Sequence, residues 1–411
     1  MLWLKLAWRN LWRNRTRTLV LLAVISGSLA FVGWMLNVAY GSYEKMIEDA
    51  ARMGSGHLSL HHPDYPQERL SELFFSGEKA MPLLANRAGI IKTLPRLYVS
   101  ALARSSRDNR AVMILGVDFE GEFETNPLLQ PSKTISGKIP ASDTQNLAYI
   151  GTRLAENLRI DVGKKLVVMF QDLSGEITSK LYRVGGIFKS GVTQLDGGTI
   201  FVNRHSLATA LGNSDALHEI AILLADRKEL PEQLAQLQKA CAAHKDIAVF
   251  SWETTSKQIA DAIKMDSAQF KFMIFLLYVM VTIGTVNLLL MSILERTREF
   301  GLLRAIGLDR RRIGLLIYCE AALLGLIGAL AGLVLTIILS LYSWHYGLDF
   351  SSMFGEAEVA GMLVSMKVNS TWEWDWMLGL TAGMIVVVIL AAIYPVKKAL
   401  RAAPAEAMRH H

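Results

Sequence analysis

Cysteine is scarce: the 411 residues contain two, Cys241 and Cys319, and the second lies inside an apolar run that the first does not share. No disulfide framework follows from that pair. The catalytic signatures are missing too. There is no G-x-x-x-x-G-K-[ST] loop, since Gly163-Lys164-Lys165 and Gly137-Lys138 lack the upstream glycine and the hydroxyl. The chain is therefore expected to hydrolyse no nucleotide alone. H-E-x-x-H, G-x-S-x-G and any Cys/His cluster are absent as well, and His61-His62 reads as a surface pair rather than a metal site.

What the sequence has in quantity is apolarity, at 52%, gathered into four runs. They are Leu19 to Val38, Phe272 to Leu294, Ile313 to Leu341 and Trp376 to Tyr394. Each holds about 20 residues or more, enough at about 1.5 Å per residue to cross a hydrocarbon core of about 30 Å. The first run is longer than a secretory h-region and ends without a clean cleavage site, so it is expected to remain as an anchor.

Charge sets the orientation. Residues 1–17 carry five Lys/Arg and no acid, the connector 295–312 six against three, and residues 396–411 four against one. Segment 41–271 is balanced at 27 of each sign, and 343–375 has one base against five acids. The positive excess lies on one side of four crossings, which the positive-inside rule makes cytoplasmic. The basic pI is thus a topology signal, with no support for nucleic-acid binding. The expected fold class is a membrane protein of four transmembrane α-helices with a large α+β extracytoplasmic domain between helices 1 and 2.

In chain order the reading is as follows. Residues 1–18 form a cytoplasmic amphipathic helix, with Leu4, Trp8, Leu11 and Trp12 as its apolar stripe and Lys5, Arg9 and Arg13 recurring every four residues. An ordinary positive flank with interfacial tryptophans is the alternative and gives the same topology. Transmembrane helix 1 covers 19–40, and the α+β domain covers 41–264, with an inner, strand-rich lobe at about 105–215. Strands are expected at Gly56–His62, Ala111–Val117 and Lys165–Phe170, a hairpin turn at Ser174-Gly175, and a helix over Pro231–Ala243. Lys257 to Phe270 is polar, helical and unbroken by Gly or Pro before helix 2 (265–294 with its stalk end), which reads as a stalk or as a simple linker helix. The remainder is a connector at 295–312, helix 3 at 313–341, an outer loop at 342–375, helix 4 at 376–395 and a tail at 396–411. Both termini are then cytoplasmic. Whether His410-His411 are native is open.

The connector, ERTREFGLLRAIGLDRRR, is patterned like a docking element. Leu302, Leu303 and Ile306 share one helical face, Arg298 and Arg304 lie off it, and Gly301 and Gly307 bracket the turn, with Arg310, Arg311 and Arg312 behind them. Two features inside the spans stand out. Glu320 is the only acid there and would cost about 2.5 to 3.5 kcal/mol at a lipid-facing central position. An ion pair with Arg312 or snorkelling is its structural reading, proton coupling the functional one. Gly325, Gly328 and Gly332 permit close helix approach, within or between subunits.

The order of anchor, large domain and three spans, with E-R-T-R-E-F-G-L-L-R-A-I-G-L between spans 2 and 3 and Y-P-V-K-K-A-L-R-A-A-P-A-E-A-M-R at the end, resembles the FtsX-like/MacB-type ABC transporter permeases. The opening W-R-N-L-W-R-N-R-T-R-T fits the same family, so the resemblance covers the whole chain. Y-I-G-T-R-L-A-E-N-L-R-I-D-V-G at 149–163 and G-I-F-K-S-G-V-T-Q-L-D at 186–196 are most similar to the lipoprotein-releasing (Lol) permease subunits. One departure is the connector's Arg298-Glu-Phe-Gly301, nearer to the efflux-type pattern. The resemblance implies an inner-membrane permease without its own nucleotide site, with ATP and Mg in a separate ABC ATPase subunit. That ATPase would grip Glu295, Arg298, Glu299, Gly301, Leu302, Leu303, Arg304, Ala305, Ile306, Gly307 and Arg310. It also implies a second permease, identical or a sister subunit, contact with membrane lipid, and a periplasmic carrier or adaptor met by a protruding loop through Phe188, Ser190, Gly191 and Asp196. Release of lipoproteins or another amphiphile by mechanotransmission is the implied activity. Efflux of a peptide or drug through an adaptor and outer-membrane channel is one alternative, and transmembrane control of cell-wall hydrolases another.

Overall fold

The computed structural model describes residues 2–401 apart from 66–71, 86, 142–143, 306, 350–356, 360–361 and 365–366. The chain divides into two compact units, one of residues 1–43, 264–349 and 367–411 and one of residues 44–263 and 350–366, with both main boundaries falling inside long helices.

The first unit is helical. Its elements are α1 (Leu2–Leu11), α2 (Arg15–Met53), α3 (Lys257–Glu295), α4 (Thr297–Ala305), α5 (Arg310–Tyr346), α6 (Trp374–Ala391) and α7 (Ile393–Arg401). Four helical stretches are long and apolar enough to cross a membrane. Helices α2 and α3 each run 39 residues without a break, about 58 Å at 1.5 Å per residue, roughly twice a hydrocarbon core. Leu21, Ile25, Leu29, Val32 and Leu36 of α2 meet Val281 and Leu289 of α3, Ala321, Leu324 and Ala329 of α5, and Leu380, Met384 and Val388 of α6 in one core.

The three glycines of α5 settle into that core within the chain. A Cβ on Gly325 would touch Val388 at 3.2 Å, one on Gly328 would lie 2.8 Å from Ile25, and one on Gly332 2.7 Å from Leu29. Gly33 of α2 answers from the other side, its Cβ position 2.9 Å from Thr336. Small residues on both partners let α2 and α5 cross closely, which is how helices associate where no water drives them together. Toward the end of these helices remote from α4, polar side chains pair rather than face lipid. Asn37 Nδ2 donates to Ser340 Oγ at 2.9 Å, Trp34 Nε1 to Ser343 Oγ at 3.1 Å, and Ser370 Oγ to the Ser340 carbonyl at 2.7 Å.

Within 44–263 the described residues of the second unit form twelve strands: β1 (Leu58–His61), β2 (Phe75–Ser76), β3 (Ile90–Arg104), β4 (Asn109–Val117), β5 (Thr134–Gly137), β6 (Leu147–Gly151), β7 (Lys165–Gln171), β8 (Ile177–Phe188), β9 (Thr199–Asn203), β10 (Ala216–Leu217), β11 (Glu219–Leu224) and β12 (Ala248–Ser251). Strand β3 belongs to two layers. Its first half pairs with β11, beyond which lie β1 and β12. From Leu97 it pairs instead with β4, and from Ala101 also with β7. The chain of neighbours β3-β4-β9-β6-β8-β7 returns to β3, so six strands close into a small barrel, with β4/β9 and β6/β8 parallel and β5 added outside. Closure removes free strand edges. The interior is filled by Val99, Val112, Ile114, Ile150, Val168, Tyr182, Val184 and Val202 among others.

A second core under the β12-β1-β11 layer gathers Leu58, Leu60, Ile220, Ile222 and Leu237, the last from helix Leu230–Cys241. Strand alternation puts Ser59 and His61 on the opposite face. His61 is therefore buried, in contrast to the surface position read from sequence, while His62 keeps partial exposure. Within this unit the far end of α2 packs Ile47 and Ala50 on Trp252, Ile259 and Ala260. Among the described residues no group of His, Cys, Asp and Glu could hold a metal, and both cysteines are free.

Candidate functional site

The connector is a short helix fastened to its own chain at both ends. Arg296, between α3 and α4, is the fastening point: its backbone N–H closes on the Ile293 carbonyl and its guanidinium turns inward. There Nη1 donates to Glu320 Oε1 of α5 at 2.8 Å, Nε to Glu299 Oε2 of α4 at 3.3 Å, and the group lies 5.1 Å from the Phe300 ring centre. Asn10 Nδ2 of α1 gives Glu320 Oε1 a second hydrogen bond at 2.7 Å. The partner of Glu320 is thus Arg296, and the pairing with Arg312 expected from sequence is replaced. An arginine brought in from another helix end meets the buried carboxylate directly, whereas Arg310, Arg311 and Arg312 stay exposed and make no ion pair among the described residues.

Two further pairs tie the N-terminal segment to the connector, Arg13 Nη1 to Glu299 Oε1 at 2.6 Å and Arg17 Nη1 to Glu295 Oε1 at 2.5 Å. Burial raises the Glu299 carboxyl, but the hydrogen bonds and charges of Arg13 and Arg296 outweigh it and leave its pKa below the usual range. Phe300 is the apolar anchor, buried with Ile293, Ile313, Ile317 and Val396 and backed by Leu308 and Leu400. The connector's exit turn needs a glycine: Gly307 has φ +96°, and its N–H returns to the Arg304 carbonyl at 3.0 Å.

Against that inward framework, Leu302 stands out, with 63% of its surface exposed on a helix whose Phe300 is 6% exposed. Gly301 and Arg304 are partly buried. Ile306 and the side chains of Arg298, Leu303 and Ala305 lie outside the described residues. Sequence reasoning missed Arg296, Asn10 and Phe300. Phe300 carried a signal, a large aromatic between two charged turns, whereas nothing local marks Arg296 off from its neighbouring arginines.

The segment expected to protrude toward a carrier is folded back. Phe188 is fully buried, 4.9 Å from the Tyr149 ring and 5.7 Å from Phe201. Asp196 is buried too, and its Oδ1 accepts the Ser190 N–H at 2.8 Å and the Ser190 Oγ–H at 2.6 Å, while Oδ2 accepts from Gly191 N at 3.3 Å. These side chains hold the turn together and offer a partner no surface. Gly191 (φ +92°), Lys189, Thr193 and Gln194 are what the turn exposes.

Four membrane-spanning stretches, a connector helix latched beneath them and a large strand-rich insertion after the first helix define a membrane permease. Residues 271–404 match the FtsX-like permease C-terminal family, and the chain as a whole is similar to ABC transporter permeases of the LolC and MacB kinds. It is 22% identical to an uncharacterized ABC transporter permease of Methanocaldococcus jannaschii, over 98% of this chain and 96% of that one. It is likewise 22% identical to the lipoprotein-releasing system transmembrane protein LolC of Neisseria meningitidis serogroup B, over 79% of each. Identity is 24% to the pyoverdine export ATP-binding/permease protein PvdT of Pseudomonas fluorescens, over 98% of this chain and 58% of that protein. Among solved structures, the periplasmic region of MacB from Actinobacillus actinomycetemcomitans aligns with a TM-score of 0.37 and 12% identity, over 51% of this chain and 95% of that one.

Proposed function

We propose that this chain is the membrane subunit of an ATP-driven machine whose motor is a separate ABC ATPase, and that the motor grips the connector around Leu302. The observation that carries this reading is the connector's two-sidedness: Arg296 and Phe300 are turned inward and Glu299 is tied to Arg13 at the surface, while Leu302 is presented outward. An exposed leucine on a helix that is otherwise latched suits a docking point, because a push on it reaches α1, α3 and α5 through the Arg296–Glu320–Asn10 bonds. ATP and Mg belong to the motor subunit. Two such motors closing on ATP shift a conformational population only by their differential affinity for its two states, about 5.5 kcal/mol for a swing from 1:99 to 99:1.

Helices α2 and α3 are the natural transmission rods, each about twice the length a bilayer needs. In this reading, which the positive flanks favour, the connector and both termini are cytoplasmic and the α+β unit lies outside an inner membrane. Four helices enclose little, so a second permease, identical or a sister subunit, completes the assembly. Work is then delivered to the outer domain by mechanotransmission, and the substrate favoured by the likeness to LolC is a lipoprotein or another amphiphile taken from the membrane and passed to a periplasmic carrier or adaptor. Efflux is the second reading, favoured by Arg298-Glu-Phe-Gly301 and by the likeness to PvdT.

The test is Leu302→Asp. Loss of ATPase copurification with normal membrane insertion is the expected result, and undiminished copurification contradicts the docking role. Depletion separates the substrates: lipoproteins retained at the inner membrane support release, whereas copurification of an outer-membrane channel supports export.

A further inference from the structure

In the α+β unit, Arg96, Glu219 and His61 stand in a row across three neighbouring strands. Glu219 of β11 is registered opposite Arg96 of β3, and β1 pairs with β11 so that Ser59 faces Ala221, which places His61 beside Glu219. Arg96 is fully buried. Its Nε and Nη2 donate to Glu122 Oε2 and Oε1 at 2.9 and 2.7 Å, and its Nη1 donates to Glu219 Oε1 at 2.8 Å and the Gly54 carbonyl at 2.6 Å. One guanidinium thus serves two buried carboxylates.

Glu219 lines a space of about 210 Å³ whose wall also includes Ser55, Tyr65, Tyr98, Thr254, Thr255 and Ser256. That volume equals about seven waters at ~30 Å³ each. Glu219 Oε2 receives the Ser55 hydroxyl at 3.0 Å and lies 3.7 Å from His61 Nε2. Ser59, on the same face of β1 as His61, is fully buried with a hydroxyl that has no hydrogen-bond partner among the described residues. The Tyr65 ring stacks with His61 and with His218, at 5.4 Å each, so its aromatic surface is already engaged within the chain.

A buried carboxylate that shares its one arginine with a second carboxylate and faces a cavity among hydroxyls suits a compact cation with several N–H donors. We propose that this cavity binds a primary ammonium group on a short polar stem, held by Glu219 and the surrounding hydroxyls. The same chemistry is carried by a free small amine and by a phosphatidylethanolamine headgroup. The site stands apart from the transport reading and does not depend on it.

The test is calorimetry on the full chain in phosphatidylglycerol nanodiscs, titrated with ethanolamine, with ethylene glycol as the neutral isostere and choline as the cation without N–H. Saturable ethanolamine binding is expected, with none from either control and at least tenfold weakening in Glu219→Gln. Thr254→Phe, which fills the cavity from an exposed position and leaves the Arg96 pairs intact, gives the same loss and serves if Glu219→Gln does not fold. Weakening of ethanolamine binding in nanodiscs containing phosphatidylethanolamine assigns the headgroup as ligand; unchanged binding there assigns a free amine. No saturable ethanolamine signal, equal binding of choline, or undiminished binding in Thr254→Phe overturns the proposal.

Discussion

Arg296 and Glu320 meet at 2.8 Å with both side chains nearly buried, joining the end of α3 to the first third of α5 just behind the connector. The carboxylate also holds Asn10, so three helices converge on a single oxygen. Removing either charge leaves the other buried without its counterion.

Arg296→Met should therefore cost about 3 to 5 kcal/mol of stability, and Glu320→Leu placed in the same chain should recover most of it. Thermal unfolding in nanodiscs of the two single variants and the double variant checks this. A double variant no better than Arg296→Met would show that the pair is incidental.

Close crossing of α2 and α5 rests on Gly332, where an added Cβ would come within 2.7 Å of Leu29 and 3.0 Å of the Ser26 carbonyl. Gly332→Ala should destabilise by about 1 to 3 kcal/mol. Gly379→Ala, with nothing within 4 Å, should be neutral or slightly favourable. Equal unfolding temperatures for the two variants would remove the packing claim.

Asp196 satisfies the Ser190 and Gly191 backbone and the Ser190 hydroxyl inside the β8–β9 turn. Asp196→Ala should cost about 2 to 3 kcal/mol, because it strands buried donors. Faster protease cleavage near residue 190, without a change in membrane insertion, is the expected readout; unaltered cleavage would argue that the turn is held by other contacts.

Glu48, beyond the apolar run that ends at Val38, accepts from His57 Nε2 at 3.0 Å, while His57 Nδ1 accepts the Leu224 N–H at 3.2 Å and so fixes the tautomer. That hydrogen bond, opposed by burial and reinforced by Arg52, pulls the Glu48 pKa down to about 2. A depressed carboxyl pKa stabilises the fold above the ordinary carboxylate range, and the contribution is lost as pH falls from about 4.5 toward 2. Because Glu48 is 43% exposed, solvent screens much of the effect. Glu48→Gln should lower the unfolding temperature modestly at pH 7 and flatten its decline over that acidic window, and an unchanged slope would contradict the assignment.

The four crossings and the connector were legible because length, apolarity and charge asymmetry are local properties of the sequence. Strands β4 and β7 and the hairpin at Gly175 were legible for the same reason, through alternation and turn residues. The barrel was not, since its closure depends on β3 meeting β7 and on the parallel pairs β4/β9 and β6/β8, which no local pattern encodes. Glu320 was given the wrong partner because Arg312 is near in sequence, whereas Arg296 is near in space. Asp196 and Ser190 were assigned to a protruding loop by the family resemblance, which does not show that in this chain the aspartate folds onto backbone N–H groups.

The central claim is that a nucleotide-driven protein outside this chain seizes the connector. Placing a photocrosslinking amino acid at Leu302 in living cells tests it most directly. The account predicts a covalent adduct with an ABC ATPase subunit, whereas adducts confined to lipid or to the chain itself would contradict it.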